Sequence, residues 1–204
     1  MNNRDAVIVV DVQNDFCPGG SLAITGGDEV VEVVNALTAR ARALNAPVVF
    51  TCDWHVPDAE HFKTWPSHCV QNTPGAEFHH LLDIRRTDAV VSKGTDKIGD
   101  AYSGFEGLTA EGHSLEAYLE ARGIRRVWLM GLATDFCVWK TAEDAIRFGF
   151  ETRLVLEGCR SVNLTPGAGE AAIREMLKVG VRVVSLEYAL AYLGHVSTFI
   201  DKRE

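Results

Sequence analysis

Six short apolar runs punctuate the chain, at 6–12, 47–52, 89–92, 126–130, 152–156 and 181–185. They are rich in Val and Ile, and they are continuous rather than alternating. A strand with one wet face alternates apolar and polar residues, whereas a strand covered on both faces does not. The runs therefore predict a parallel sheet with helices on both sides. Helical spacing fills the intervals between them. Residues 28–45 bring Val30, Val31, Val34, Leu37, Ala41 and Leu44 to one face. A second helix, 114–122, carries Leu115, Tyr118 and Leu119, and a third runs from about Cys137 to Phe148. A fourth opens at Thr165-Pro166, a capping residue followed by proline at the first helical position, and stops at Gly180. Repeated β-α-β order implies right-handed crossovers and one open, three-layer αβα sheet.

Two connections are longer than such a fold needs. Residues 14–27 and 53–79 hold Gly, Pro, His and Trp, and long ordered connections usually carry function. No repeat, linker or low-complexity tract divides the 204 residues, so one domain spanning 1–204 is predicted.

Composition narrows the class. Hydrophobic residues make up 47% and charged residues 24%, as in ordinary soluble domains. The net charge of −8 argues against non-specific binding to nucleic acid or to anionic membranes. The first apolar run is too short for a signal peptide or a membrane span. Five cysteines, an odd number with no C-x-x-C pair, suggest a reduced, cytoplasmic protein with a thiol free for chemistry.

In open parallel sheets, ligands bind beyond the carboxyl ends of the strands. Asp11 follows the first run, Asp53 and His55 the second, and Lys93-Gly94 the third. The fourth is followed by Gly-Leu-Ala-Thr-Asp-Phe-Cys, 131–137. One rim thus receives a carboxylate, metal-type ligands, an amine and a thiol. Thr134-Asp135 can cap a helix, and a thiol in the first turn of a helix feels its positive end, which favours thiolate. Backbone amides there can also hold an oxyanion. The plain alternative is a small buried cysteine, which at this position alone is equally common. With Asp11 and Lys93 on the same rim, Cys137 reads as the nucleophile. Cys17, Cys52, Cys69 and Cys159 take the structural reading. Burial at the strand end should raise the Asp11 pKa and suit it to general-base work. Lys93 would hold that carboxylate and steady the sulfur.

Asp53, His55, His61 and His68 place one carboxylate and three imidazoles within a single connection. Oxygen with imidazole nitrogen suits one divalent ion, Zn²⁺ before Fe²⁺ or Mn²⁺. Residues two apart on extended backbone point the same way, so Asp53 and His55 can grip one ion. His79 and His80 read as surface residues near a helix, and His113 and His195 have no assigned role. Phe16, Trp54, Trp65 and Tyr102 could wall a flat ring; for Trp54, core packing is the better reading.

These segments together resemble the nicotinamidase branch of the isochorismatase-like cysteine hydrolases. The resemblance is carried by Ile8-Val-Val-Asp-Val-Gln-Asn-Asp-Phe16 with Pro18-Gly-Gly20, Asp53-Trp-His55, His61-Phe62, Trp65-Pro-Ser-His-Cys69 and Gly75-Ala-Glu-Phe-His79. Lys93-Gly94, Tyr102-Ser-Gly-Phe105 and Gly131-Leu-Ala-Thr-Asp-Phe-Cys137 complete it. Asp-x-His with a downstream Trp-Pro-x-His marks this branch; metal-free relatives keep Asp, Lys and Cys without it. The resemblance implies a six-stranded parallel sheet and a triad of Asp11, Lys93 and Cys137. It implies a metal held by Asp53, His55 and His68, with His61 as fourth ligand. It also implies a cis peptide between Leu132 and Ala133, and an oxyanion hole at the amides of Ala133 and Cys137. Phe16, Trp65, Tyr102 and Leu132 would contact the substrate. That substrate would be a small pyridine carboxamide, nicotinamide above all, in the service of NAD salvage; pyrazinamide and the oligomeric state are left open. The stretch between His61 and Trp65 is shorter than in many relatives.

Three rivals remain at this level. Metal-bound water could replace the thiol as nucleophile. A metal-free cysteine hydrolase could act on another amide. A nucleotide-binding module is disfavoured, because no Gly-x-Gly-x-x-Gly follows the first run.

Overall fold

Five of the six apolar runs become inner strands of a sheet, and the sixth, at 181–185, forms a partly exposed edge. The computed structural model describes residues 4–195, which include every candidate site residue. Every residue of β1 (Asp5–Val10), β2 (Val48–Asp53) and β5 (Arg126–Leu132) is buried, so these strands are covered on both faces. β3 (Ala89–Lys93) flanks β2, and β6 (Glu151–Arg160) and β7 (Arg182–Val184) extend the other side. The order is β4-β3-β2-β1-β5-β6-β7, with every pair parallel except β3 with β4. β4 (Leu108–Thr109) makes a seventh strand where six were expected. Two residues, with Leu108 half exposed, are too short to produce a periodic signal.

Helices cover the two faces. α1 (Val30–Ala43) buries the stripe of Val30, Val31, Val34, Leu37 and Ala41 against β1 and β6. It also packs on α5 (Leu186–Tyr192), a helix the apolar pattern did not announce. α3 (Trp139–Arg147) packs on β6 and on α4 (Ala168–Lys178). Each fully buried Val, Ile or Leu contributes roughly 1.5–3 kcal/mol relative to leaving it in water. α2 (Leu115–Glu120) begins where its sequence said, with the Ser114 hydroxyl accepting from the Ala117 amide at 3.2 Å. α4 does not. It starts at Ala168 behind a left-handed Gly167, and the Gly169 amide donates to Asn163 Oδ1 at 2.9 Å. A side chain from the preceding loop thus does the work expected of Thr165. The third helix is also later than expected, because Thr134–Val138 forms a π-helical turn before α3 begins.

The topology sets the site. The chain lays β2 on one side of β1 and later returns to lay β5 on the other. The strand order reverses at β1, and a crevice opens beyond the carboxyl ends of β1 and β5. The two strands approach closely there: a Cβ on Gly131, whose φ is +129°, would lie 2.1 Å from the Val10 carbonyl oxygen. Only glycine fits. The next peptide, Leu132–Ala133, is cis, as the resemblance implied.

The opposite end of the strands is closed by ions. Arg126 Nη1 meets the buried Asp5 Oδ1 at 3.1 Å, and its Nε donates to Glu151 Oε2 at 3.0 Å. Trp128 Nε1 and the Gly194 amide also donate to the Asp5 carboxylate, at 3.2 and 2.7 Å.

Candidate active site

Four strand ends meet around one ammonium. Lys93, the last residue of β3, is 1% exposed. Its Nζ lies 2.9 Å from Asp11 Oδ2, donates to Asp53 Oδ1, and reaches Cys137 Sγ at 3.4 Å. Asp11 follows β1 with a left-handed φ of 48°. Its other oxygen accepts from the Thr51 hydroxyl at 2.6 Å. Cys137 enters from the π-helical turn after β5. The expected acid, amine and thiol are therefore in mutual reach, with Asp53 as a fourth member.

Burial and charge act against each other in this cluster. Burial pushes the Asp11 carboxyl up; Lys93 and the Thr51 hydroxyl pull it back without reversing the shift. Burial would also raise Asp53, but Lys93 and His55 hold it well below the usual carboxylate range. Burial would strip the proton from Lys93, yet Asp11, Asp53 and Cys137 outweigh it and hold the ammonium charged. Cys137 departs from the sequence expectation. Burial raises its thiol well above the ordinary value, and Lys93 only partly opposes this. Burial thus favours the protonated sulfur, and the Asp11 carboxyl beside it is suited to take its proton. The other cysteines are buried as well. Burial pushes Cys17 and Cys52 up to about 11 and Cys159 to about 12, and Cys69 rises well above the ordinary value. All five are free thiols.

Beside the ammonium lies a nest of imidazoles. Nitrogens of His55, His61 and His68 all come within 4.8 Å of one another. All three rings are buried. His68 Nδ1 sits 2.7 Å from the Pro66 carbonyl, and His61 Nδ1 sits 2.8 Å from Asp100 Oδ1. Neither ring nitrogen of the fully buried His55 has a hydrogen-bond partner. A buried polar atom with no partner costs about 1–3 kcal/mol. The donor set and this orphaned ring fit a divalent ion held by imidazoles. Burial also pushes the His68 pKa down, favouring the neutral ring that a metal requires. Asp53 Oδ2 is 3.8 Å from His55 Nε2, so the carboxylate borders the nest while its other oxygen serves Lys93. Gly94 makes room for His55: a Cβ there would lie 2.5 Å from the ring's Cε1.

A pocket enclosing about 370 Å³ of space, part of it open to solvent, stands over both groups. Phe16, Trp65, Tyr102, His61, Ala133 and Cys137 are among its walls. Trp65 Nε1 donates to the Tyr102 hydroxyl at 2.9 Å, and Trp65 meets Phe136 edge-on at 5.0 Å. Leu132 is buried in β5 and is not among the lining residues. Trp54 packs on the core. His79 and His80 meet at a tilt near the surface, outside any helix, and His113 is exposed.

Several contributors lay outside the sequence reading. Thr51, inside an apolar strand, reads only as a strand former. Gln13 donates to the carbonyls of Asp53 and Ala76 and accepts from the Asp53 amide, each at 2.8 Å, which fixes the end of β2. Asp135, expected as a cap, instead accepts from the amides of Val162 and Asn163 at 2.9 and 2.8 Å. That ties a pocket wall, Val162, to the turn bearing the thiol. Phe136 and Asp100 also line the pocket.

Known proteins resemble the chain over most of its length. The Isochorismatase domain model matches residues 5–188. A nicotinamidase/pyrazinamidase from Mycobacterium tuberculosis is 43% identical over 190 residues, 88% of this chain and 97% of that protein. The crystal structure of a Pyrococcus horikoshii pyrazinamidase in complex with zinc superposes with a TM-score of 0.82 at 39% identity, covering 89% of this chain and 99% of that one. PnC1 from L. infantum, in complex with nicotinate, gives a TM-score of 0.82 at 35% identity over 92% of this chain and 95% of that one.

Proposed function

The chain belongs to the isochorismatase domain family, and from that premise we propose that it is a nicotinamidase, hydrolysing nicotinamide to nicotinic acid and ammonia. The observation that carries this reading is the single buried ammonium of Lys93, shared by Asp11, Asp53 and Cys137 and set beside three imidazoles under an aromatic pocket. Similar proteins named nicotinamidase, and the nicotinate and zinc complexes of related structures, support the substrate class and the ion. The imidazole nest, with its orphaned ring, argues for the metal-bearing branch over a metal-free hydrolase acting on another amide.

The residues divide the work as follows. Phe16, Trp65 and Tyr102 enclose a flat ring and exclude water. Asp53, His55, His61 and His68 would hold a divalent ion, Zn²⁺ by the chemistry of the donors, which when bound supplies a Lewis acid for the pyridine nitrogen and so orients the ring. Asp11 takes the thiol proton of Cys137 as the sulfur attacks the carboxamide carbon. The ammonium of Lys93 holds the carboxylate in place and steadies the developing thiolate. Charge gathers on the carboxamide oxygen, where the amides of Ala133 and Cys137 would receive it; one such donor is worth about 3 kcal/mol. Asp11 then passes its proton to the departing nitrogen, ammonia leaves, and a thioester remains. Water attacks the thioester carbon as Asp11 takes a proton from it. The carbon–sulfur bond breaks, the proton returns to sulfur, and nicotinic acid is released.

The test is ammonia release from nicotinamide, with metal analysis of the same preparation. Cys137→Ala should abolish turnover while nicotinamide still binds. Appreciable hydrolysis by that variant would remove the thiol from the mechanism and favour a water nucleophile.

A further inference from the structure

We propose that Asp100 is a positioning residue for the ion site: it anchors the outer nitrogen of His61 and leaves Nε2 as the nitrogen that binds the ion. The inference rests on reading His55, His61 and His68 as metal ligands. An imidazole ligand uses one nitrogen, and whatever holds the other fixes the tautomer and the ring's direction and raises the ring's basicity. His68 is held by its own backbone, through the Pro66 carbonyl. His55 is held by packing, against Gly94 and between the other rings. His61 alone is held by a side chain, with Nδ1 at 2.8 Å from the Asp100 carboxylate.

The segment that carries Asp100 is built against the turn that carries His61. The Glu60 amide donates to the Lys97 carbonyl at 2.8 Å, and Lys97 Nζ pairs with Asp58 Oδ2 at 2.5 Å. Just before Asp100, Asp96 Oδ1 accepts from the amides of Ile98 and Gly99, closing a turn. Ala101 then takes a left-handed φ of 46°, and Tyr102 enters the pocket wall. Asp100 therefore sits where the ion site and the ring pocket join, two residues from the hydroxyl that receives Trp65. It is 61% exposed in its side chain, so replacing it leaves the core intact.

The experiment is a zinc titration of the metal-free full-length protein, in competition with a chromophoric chelator, for wild type, Asp100→Ala and Asp100→Asn. Asp100→Ala should bind zinc about tenfold to a hundredfold more weakly. It should also surrender zinc faster to excess EDTA. Asp100→Asn keeps an acceptor oxygen without the charge and should fall between the two. The unfolding midpoint of the metal-free variants should equal that of wild type. Equal zinc affinity in wild type and Asp100→Ala overturns this inference alone. Failure of zinc to bind wild type removes the ligand reading, and this inference with it. A metal-free midpoint that falls in step with affinity would make Asp100 a structural residue and overturn the proposal as well.

Discussion

The Thr51 hydroxyl is buried, and its bond to Asp11 Oδ1 is 2.6 Å long. It holds one carboxylate oxygen so that the other faces Lys93. Thr51→Val keeps the shape and deletes only that donor. Hydrogen bonds to a charged group contribute about 1.5–3 kcal/mol. If that energy serves to aim the carboxylate at the thiol, losing it raises the barrier by a similar amount, about ten- to a hundredfold in kcat. Thr51 is not among the residues lining the pocket, so KM for nicotinamide should hold. Thr51→Ser restores the hydroxyl without the methyl and should recover most of kcat. The assay is steady-state ammonia release, with circular dichroism melting to establish that each variant is folded at the assay temperature. Wild-type kcat in Thr51→Val would refute the reasoning. So would a Thr51→Ser enzyme as slow as Thr51→Val, because that pattern follows packing rather than the donor.

Two further substitutions separate the site from the scaffold. Gly94→Ala places a Cβ 2.5 Å from His55 Cε1, and at a φ of +64° that side chains rarely adopt; zinc affinity in a chelator competition should fall well below wild type, and unchanged affinity would mean that His55 is free to move. Arg126→Met leaves the buried Asp5 carboxylate without its guanidinium, which costs about 3–5 kcal/mol. Because that pair closes the opposite end of β1 and β5, urea unfolding should shift while kcat at a temperature where the variant is folded does not.

The sheet was legible because burial on both faces leaves a mark that composition alone cannot mimic: unbroken apolar runs such as Ala6–Val10. Asp11 and Lys93 were legible because they stand at the ends of such runs, and Cys137 because it closes the segment that follows another; parallel strands carry their ends to one rim. Thr51 was not, since a threonine inside a strand is ordinary, and only its neighbour across the sheet gives it a task. Asp135 stood where a cap would stand, but amides of a loop far along the chain compete for its oxygens and win. The helix-dipole argument for a thiolate at Cys137 misjudged relative size. Dipole effects are worth about 0.3–1 kcal/mol, whereas burial of the sulfur dominates its proton affinity. Asp100 lay between two recognisable motifs, in a segment with acids at 96 and 100, and nothing in the spacing told which of them faces an imidazole.

Metal removal tests whether the imidazole nest is built for an ion or merely packed. Neither nitrogen of the buried His55 has a hydrogen-bond partner, and two carboxylates, Asp11 and Asp53, face the one charge of Lys93. Such an arrangement holds stability in reserve for a cation that binds only the folded chain. By mass action, a ligand at a thousandfold its Kd adds about 4 kcal/mol. For a domain of this size that corresponds to a rise in Tm of about 8–16 °C. Melting of the zinc-loaded protein and of the same preparation stripped by chelator, each with its metal content measured, should show that gap. His68→Ala should narrow it, because one of the three imidazoles is gone. Equal melting of the loaded and stripped forms, or a His68→Ala variant with the full gap, would mean that any zinc bound lies elsewhere and that the three rings meet for packing alone.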